Sequence, residues 1–458
     1  MNRVRITLND RRRFAFSAAL ASVLVLLAGG ANALAGVTVR CVPNLSVNPS
    51  CTVAYGTIGA AVTASSAGDV IFVGPGYYNE SVIITKPLSL FGAQAGKDAR
   101  VDRQDWAFSA TSAPSKESIV DATGQGSSAF YVGAESVVID GFTVEGAHSY
   151  SSPAPSPAGI YVGSYTYVQV LNNILQNNST GVYLYAGGQD VVEHNLFRYN
   201  NKGGEVDSGY GIFLNGVPYL VITENEFSGN KTAAINSMNE TQDASITNNT
   251  SENDGSFVIF INTYWTHFSH NHGKNFGHTG VLPALPGPPP IYADAAVVIG
   301  PGNLFLVISN NDLEKGEAPI SNGIAFTTVF GTSTSPNANW YLNVMNNKIE
   351  GFPGNGIVAE EALVSSTPTG TLYGPGSFIV GNKVSDNGND GILIEGASTY
   401  NSSIPLADNE AEGNHVFDCQ DTSSGPYTLG TGNIWDNDLG NTSSPPGPPP
   451  LCAPGRNH

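Results

Sequence analysis

The sequence predicts an all-β chain in which short strands follow one another around successive coils of a solenoid. The chain has 53 Gly but only three Met among 458 residues, a composition that suits short strands joined by tight turns. From Ala158 onward a Gly-apolar-x-apolar pattern recurs, followed each time by apolar-x-x-Asn-x-apolar. The apolar residues alternate, as Val182 and Leu184 do around Tyr183, and this is the period of a strand.

The spacing within the repeat gives the register of the coils. The leading apolar residue lies 13 or 14 positions before its Asn in the pairs Ile160–Asn173, Val182–Asn195, Ile212–Asn225, Ile235–Asn249, Val258–Asn271 and Val298–Asn311. Consecutive units are at least 22 residues apart, which leaves room for about three short strands in each coil. Stacking such coils would bury one continuous apolar core.

The recurrent Asn needs a structural explanation, because a buried amide without partners costs roughly 1–3 kcal/mol. In stacked coils each Asn can bond the next one, about 4.8 Å away. We therefore predict a structural ladder formed by Asn173, Asn195, Asn225, Asn249, Asn271, Asn311, Asn347, Asn382 and Asn414.

Two groups of motifs resemble a known family. Residues 382–392 read NKVSDNGNDGI, and the opening stretch contains TIGAAV at 57–62, VGPGYY at 73–78 and LSLFG at 88–92. These motifs resemble the single-stranded right-handed parallel β-helix proteins of the pectate-lyase-like superfamily, over roughly residues 53 to 440. The resemblance implies a short N-terminal capping helix. We expect a cap and first coils at 36–157, regular coils at 158–440 and a Pro-rich tail at 441–458.

Residues 1–35 have the order of an export signal, with five Arg, an apolar run from Phe14 to Ala28 and small residues before Gly36. The Arg11–Phe14 stretch also resembles a twin-arginine signal, so the general secretory and twin-arginine routes both remain open. No later apolar segment is long enough to span a membrane. We therefore expect a secreted or periplasmic protein. We also expect it to be a monomer.

An oxidising compartment predicts two local disulfides, Cys41 with Cys51 and Cys419 with Cys452. Without residues 1–35 the chain carries 14 basic and 37 acidic groups, a net charge of −23. Such a charge argues against nucleic acid as a partner.

The resemblance does not fix the activity, because this fold serves polysaccharide lyases, hydrolases, epimerases, esterases and non-catalytic proteins. The motifs diagnostic of pectin methylesterases, polygalacturonases and mannuronan epimerases are absent, and no Asp cluster accompanies Arg198 as a pectate lyase would require. The resemblance implies a protein that binds, and in the enzymatic case cleaves, a polysaccharide. The alternatives are a non-catalytic extracytoplasmic scaffold or surface protein and a periplasmic metal-assembly protein.

Two late repeats place carboxylates at equivalent outward positions, Glu360 and Glu395. Neighbouring backbones about 4.8 Å apart would bring the carboxyls close to the roughly 5–5.5 Å of retaining glycosidases, or let them bind Ca²⁺. Insertions around 328–340, 361–377 and 396–407 would form a wall beside this pair. The alternative is two solvent-exposed Glu on a surface strand with no site.

Aromatic and His residues provide candidate sugar-binding positions. Tyr161, Tyr183, Tyr185 and Phe213 follow one outward stripe on successive coils, and Trp265, His267 and His270 lie in a His-rich segment. The stripe is equally explained as a stabilising aromatic ladder. No cofactor other than Ca²⁺ is indicated, and the His spacing identifies no metal ligands.

Overall fold

The computed structural model describes residues 37–103, 116–148, 157–200, 208–277, 295–300, 302–316, 322–326, 339–360, 376–395 and 404–454. The chain divides into two compact units, residues 1–38 and 39–458, and all strands described below belong to the second. The predicted export signal and most residues of the three expected late insertions lie outside the described residues.

The described strands form three long parallel sheets of 15, 12 and 13 strands and one two-stranded sheet. Sheet A comprises Val39–Val42, Val53–Ala54, Val70–Val73, Ser89–Phe91, Val138–Asp140, Gln169–Leu171, Val191–Glu193, Val221–Thr223, Ser245–Thr247, His267–Ser269, Val307–Ser309, Asn343–Met345, Phe378–Val380, Pro405–Ala407 and Ile434–Asp436. Sheet B comprises Gly76–Tyr78, Ser118–Asp121, Thr143–Glu145, Ile174–Gln176, Leu196–Arg198, Glu226–Ser228, Thr250–Glu252, His272–Phe276, Asp312–Gly316, Lys348–Glu350, Lys383–Ser385 and Glu410–Glu412.

Sheet C comprises Val82–Ile84, Phe130–Val132, Ala158–Val162, Thr180–Tyr185, Tyr210–Asn215, Ala233–Met238, Ser256–Phe260, Ala295–Ile299, Asn322–Phe326, Ile357–Glu360, Ile392–Glu395, Cys419–Asp421 and Ser443–Ser444. The two-stranded sheet pairs Thr241–Gln242 with Thr263–Tyr264. From Val70 onward the chain visits sheets A, B and C in turn and then returns to sheet A. This path confirms the predicted single-stranded right-handed parallel β-helix.

A short helix lies near the start of the coils, as predicted. Helix α1 spans Ile58–Ala64, and the Thr57 side chain caps its first turn by accepting from the Ala60 amide. Ile58, Ala61 and Val62 are its buried residues, so one face of the helix closes the apolar core. Two 3₁₀ turns, Leu45–Val47 and Thr428–Gly430, complete the described helical elements.

Residues that alternate along each strand fill the core between the sheets. Ile160, Val182 and Ile212 pair in register on successive strands of sheet C, and all three side chains are fully buried. The register differs from the prediction at Val298, because Val297 is the residue that pairs with Val258. A shift of one residue turns a side chain to the opposite face of a strand, so Val298 lies on the outer face of sheet C.

The Asn side chains at the turn between sheets A and B form a continuous hydrogen-bonded ladder. The Asn195 Nδ2 donates to Asn225 Oδ1 at 3.0 Å and to the Val170 carbonyl at 2.8 Å. The backbone amide of Asn195 donates to the same Asn225 oxygen at 3.0 Å, so each buried amide is satisfied from both sides. The ladder runs through Asn173, Asn195, Asn225, Asn249, Asn271, Asn311, Asn347, Asn382 and Asn409 and ends at Asp438.

Asn414 was wrongly placed in this ladder. Asn409 occupies the position after Asn382, and Asn414 belongs to a second ladder at the turn between sheets B and C. That ladder contains Asn178, Asn200, Asn230 and Asp254 in the middle coils and Asn387, Asn414 and Asp418 in the late coils. The misplacement arose because several repeats carry an Asn at both turns, five residues apart, and spacing alone does not separate them.

Both predicted disulfides are confirmed, and each links residues near one end of the coils. The Cα atoms of Cys41 and Cys51 are 5.8 Å apart, and those of Cys419 and Cys452 are 6.0 Å apart. Leu451 and Cys452 are buried, and Ala453 pairs with Leu439. Part of the segment expected as a Pro-rich tail therefore packs onto the last coil. None of the helices in the described ranges has the length and apolar character needed to cross a bilayer.

A ladder Asn should be more important for stability than an exposed Asn. Replacing Asn225 by Ala leaves two buried donors of Asn195 without their acceptor, so we expect the free energy of unfolding to fall by about 3 kcal/mol. Chemical denaturation followed by circular dichroism measures the loss. The exposed Asn389→Ala variant is the control, and equal stability of the two variants would contradict the structural role of the ladder.

Asp254 should make stability depend on pH. Burial raises the pKa of this carboxyl from 3.8 to about 7, so between these values the folded chain holds a proton that the unfolded chain releases. Stability from this group is fully present below about pH 4, declines as the pH rises toward 7 and then levels off. The Asp254→Asn variant should lack this decline and exceed the wild type at pH 8 by an amount on the order of 1–4 kcal/mol.

Thermal melts between pH 4 and pH 8 test this expectation, because the difference between wild type and variant isolates Asp254 from the other carboxyls. Asp243→Asn, at an exposed turn position, is the matched control. A constant difference in melting temperature between wild type and Asp254→Asn across this range would rule out the proposed proton uptake.

Candidate functional site

Glu360 and Glu395 lie at the ends of neighbouring strands of sheet C. The strands Ile357–Glu360 and Ile392–Glu395 are parallel, and their register pairs Glu360 directly with Glu395. Ala359 and Ile394, one position earlier, are buried in the core, and the Glu395 side chain is exposed. The Glu360 side chain is outside the described residues. The register places the backbones of the two residues at equivalent positions on neighbouring strands. We call the strand that one coil contributes to a sheet a rung, so the two residues are one rung apart.

An apolar strip occupies the outer face of sheet C on five successive coils, the last two of which carry this pair. Its members point away from the core and are still at most 7% exposed: Ile259, Val298, Ala325, Val358 and Leu393. Val358 and Leu393 lie two positions before Glu360 and Glu395 on the same strands. The backbone positions of Glu360 and Glu395 therefore follow an apolar and buried surface on their strands.

Carboxyl groups near this edge interact electrostatically. Burial raises the pKa of Asp390, which precedes the Glu395 strand, and the charge of Glu395 adds to that effect. The hydrogen bond from the Phe417 amide to Asp390 Oδ1, 2.9 Å long, acts in the opposite direction.

The predicted aromatic stripe is a stack of nearly parallel rings on the outer face of sheet C. Ring centroids are 5.2 Å apart between Tyr161 and Tyr183 and 4.9 Å between Tyr183 and Phe213. Tyr131, which the sequence pattern missed, extends the stack by another 5.2 Å contact with Tyr161. Burial, with the neighbouring Tyr side chains, raises the pKa of Tyr161 to about 12. Since the ring faces cover one another, mostly ring edges are available to a ligand.

The remaining candidate sugar-binding residues are separated. Tyr185 is 43% exposed at the end of its strand in sheet C, whereas Trp265 lies at the turn from sheet C to sheet A. His267 begins a strand of sheet A, and His270 occupies the turn from sheet A to sheet B. The structure does not bring these residues to one point.

Sheet B carries an outer band of paired charges. The Lys348 ammonium lies 2.6 Å from Glu314 and 3.1 Å from Glu350, and these carboxylates raise the pKa of Lys348. His272, from the His-rich segment, lies 3.6 Å from Asp312 in the same band. Ion pairs across neighbouring strands explain these residues without a ligand.

Sequence reasoning missed a group of three potential metal ligands. Among the described residues, Glu193, His194 and Glu224 bring one ligand atom each to within 4.8 Å of one another. His194 and Glu224 each stand immediately before a ladder Asn in the sequence. Comparing the residues at that position in successive repeats would have indicated that these two side chains lie close together. Carboxylates and imidazole are suitable ligands for several divalent ions.

Arg100 competes with a cation at this group. Its guanidinium lies 3.1 Å from Glu224 Oε2, and the same oxygen lies 3.1 Å from His194 Nε2. Burial raises the pKa of Glu193, the charge of His194 counteracts this effect, and Glu224 adds to it. The group has its own positive partners, so its geometry is explained as an ion-pair network.

Comparison with known families finds one matching model. The family described as "Periplasmic copper-binding protein (NosD)" matches residues 113–272, less than half of the chain. The matched segment contains coils of all three sheets. No curated protein matches the chain in sequence.

Several solved structures share the fold at low sequence identity. PfbA, a surface adhesin of Streptococcus pneumoniae, has a TM-score of 0.54 and 13% identity, over 81% of this chain and 91% of its own. GH136 lacto-N-biosidase from Eubacterium ramulus has a TM-score of 0.52 and 8% identity, over 83% of this chain and 68% of its own. Alginate lyase from a Paenibacillus species has a TM-score of 0.43 and 11% identity, over 84% of this chain and 96% of its own. The parallel sheets, the family model and the structures with TM-scores above 0.5 together identify the chain as a right-handed parallel β-helix repeat protein.

Proposed function

We propose that the protein is exported, binds a polysaccharide and cleaves it with Glu360 and Glu395 as the catalytic pair. The observation that carries this proposal is the direct register of the two residues on neighbouring parallel strands. Adjacent strands lie about 4.8 Å apart, so two carboxyls on successive rungs can approach the roughly 5–5.5 Å at which retaining glycosidases hold theirs.

The chemistry requires one carboxylic acid and one carboxylate. The acid donates its proton to the glycosidic oxygen while the carboxylate attacks the anomeric carbon, and water then releases the sugar from the enzyme. The apolar strip on the same strands supports this mechanism of one carboxylic acid and one carboxylate, because an apolar surface excludes water from one side of the reacting groups. Elimination from an acidic sugar remains the other bond-breaking route for this fold.

Ca²⁺ is a second use of the same pair. Two carboxylates one rung apart can share a calcium ion, which would also bridge the acidic protein to a polyanionic sugar. The dependence of activity on Ca²⁺ therefore distinguishes a catalytic pair from a cation-binding pair.

Three observations support an extracytoplasmic location. Residues 1–35 have the order of an export signal, both disulfides need an oxidising compartment, and the matching family model is described as periplasmic. The choice between the general secretory and twin-arginine routes is left to export assays.

The alternative function is that of a non-catalytic scaffold or surface protein. The similarity to PfbA, described as a surface adhesin, supports this reading at the level of the fold. In that case Glu360 and Glu395 are ordinary surface residues, and their replacement changes no activity.

Activity assays on acidic and neutral polysaccharides, with and without Ca²⁺, test the catalytic proposal. Reducing ends report hydrolysis, and ultraviolet absorbance reports the unsaturated products of elimination. We expect Glu360→Gln and Glu395→Gln each to lower product formation by about 10²–10⁴-fold, because each removes a group that transfers a proton or attacks the substrate.

Glu412→Gln, at an exposed position of sheet B, is the matched control and should keep full activity. Thermal melts should show that all three variants remain folded. Full activity of both site variants would remove the pair from catalysis, and the absence of products from every polysaccharide would favour the scaffold.

A further inference from the structure

The turn from sheet C to sheet A carries a regular column of side chains that the proposed catalytic pair does not use. The corner column, defined here as Tyr167, Gln189, Tyr219, Asp243 and Trp265, contributes one residue from each of five successive coils. The backbone amides of the first four donate to the carbonyl just before the next member, as Tyr219 does to Gln242 at 2.9 Å, and the Trp265 amide donates in the same way to Leu304 of the next coil. The five side chains are exposed and lie one rung apart along the stack of coils.

The corner column alternates aromatic and polar residues. Tyr167, Tyr219 and Trp265 are 53%, 56% and 44% exposed, whereas Gln189 and Asp243 occupy the rungs between them. Within these five rungs, aromatic rings therefore recur at every second rung, about 9.5 Å apart. Beyond Trp265 the next two rungs carry Phe305 and Tyr341, which stack on each other, so the alternation is confined to the five rungs of the corner column. Among the described residues Tyr167 and Tyr219 have no ring partner, so their ring faces are open to a ligand.

The backbone conformation of the corner column disfavours aromatic residues. Every member of the corner column has a positive φ, from 47° at Trp265 to 62° at Tyr167. The left-handed region is unfavourable for bulky side chains and is tolerated best by Gly, Asn and Asp. At the turn from sheet A to sheet B the same conformation is indeed occupied mainly by Asn, including Asn172, Asn248 and Asn310. An aromatic ring in the corner column thus costs free energy that an Asn would avoid.

The Trp265 ring has one covered face and one that borders a small residue. It stacks on Phe305 of the next coil, with centroids 5.9 Å apart and planes within 12°. The rung on its other side carries Asp243, whose side chain is short and exposed. The indole therefore offers an aromatic surface with a carboxylate beside it.

We infer that the corner column binds a linear, neutral, β-1,4-linked glycan laid along the stack of coils. The inference rests on the proposed function and adds its substrate class. An extended chain with a two-fold repeat presents the same face on alternate units, and rings at every second rung match that repeat. The apolar faces of pyranose rings stack on Tyr and Trp, while Gln189 and Asp243 can bond hydroxyls of the intervening units.

Charge favours a neutral glycan over an acidic one. The corner column contains no basic residue, and Asp243 would repel a uronate at the same rung. The full chain has a net charge of −19, so a polyanion gains no long-range attraction either.

Asn replacements test the inference without weakening the fold. Tyr219→Asn and Trp265→Asn both keep a residue that accepts positive φ. The melting temperature of Tyr219→Asn should equal or exceed that of the wild type, and that of Trp265→Asn, which also loses the stack on Phe305, should stay close to it. Tyr199→Asn is the matched control, because Tyr199 also has a positive φ and is 43% exposed, but it lies at the turn from sheet B to sheet C.

Affinity electrophoresis in gels containing glucomannan, dextran, alginate or polygalacturonate measures binding. We expect glucomannan alone to retard the wild type and Tyr199→Asn, with binding about fivefold to tenfold weaker in each corner variant and lost in the double variant. Equal retardation of all variants by glucomannan overturns the corner site and leaves polysaccharide binding intact. Retardation only by an acidic polysaccharide or dextran likewise overturns the neutral β-1,4 glycan but not the proposed function. If no polysaccharide retards the wild type, both proposals fail.

Discussion

The whole structure depends on one constraint, which is that a buried turn amide can be satisfied only by the coil stacked upon it. Asn225 illustrates the constraint, because its Oδ1 accepts from the backbone and side chain of Asn195 while its own Nδ2 donates to Asn249 and to Val192. No single coil can supply these partners. Coils therefore stabilise one another as neighbours, and the chain must keep the same turn in register from one coil to the next.

A stack of identical rungs requires ends that differ from its middle. Helix α1 closes the core at the first coils, and disulfides tie residues near both ends. The Asn ladders end on Asp, at Asp254, Asp418 and Asp438, where a carboxyl oxygen accepts from the side chain of the last Asn. The raised pKa of about 7 at Asp254 and about 6 at Asp438 follows from burying an acid at such an end. Ending a ladder on a buried Asp therefore costs free energy when the carboxyl is ionised, whereas the neutral Asn side chains inside the ladder carry no charge.

Ligands can contact only the outward positions of such a fold, because the inward side chains fill the core and the ladder side chains bond to neighbouring coils. The three outer faces differ in character, with stacked rings and an apolar strip on sheet C, paired charges on sheet B and an ion-pair group at one turn of sheet A. The Glu360 and Glu395 pair and the corner column are the outward positions on which the two proposals rest. Both lie along the stack of coils, and a linear polymer has the shape to follow that direction.

The sequence by itself determined the strand period, the solenoid, the capping helix, both cysteine pairs and eight of nine assigned rungs of the ladder, because these follow from short-range spacing. It misassigned Val298 and Asn414, where counting fails across a long connection or between two Asn five residues apart. It also missed Tyr131, the group at Glu193 and the alternation of the corner column. Only the tertiary structure decided these, because stacking brings together residues that are 22 to 40 positions apart in the chain, and unequal connections hide which positions share a column.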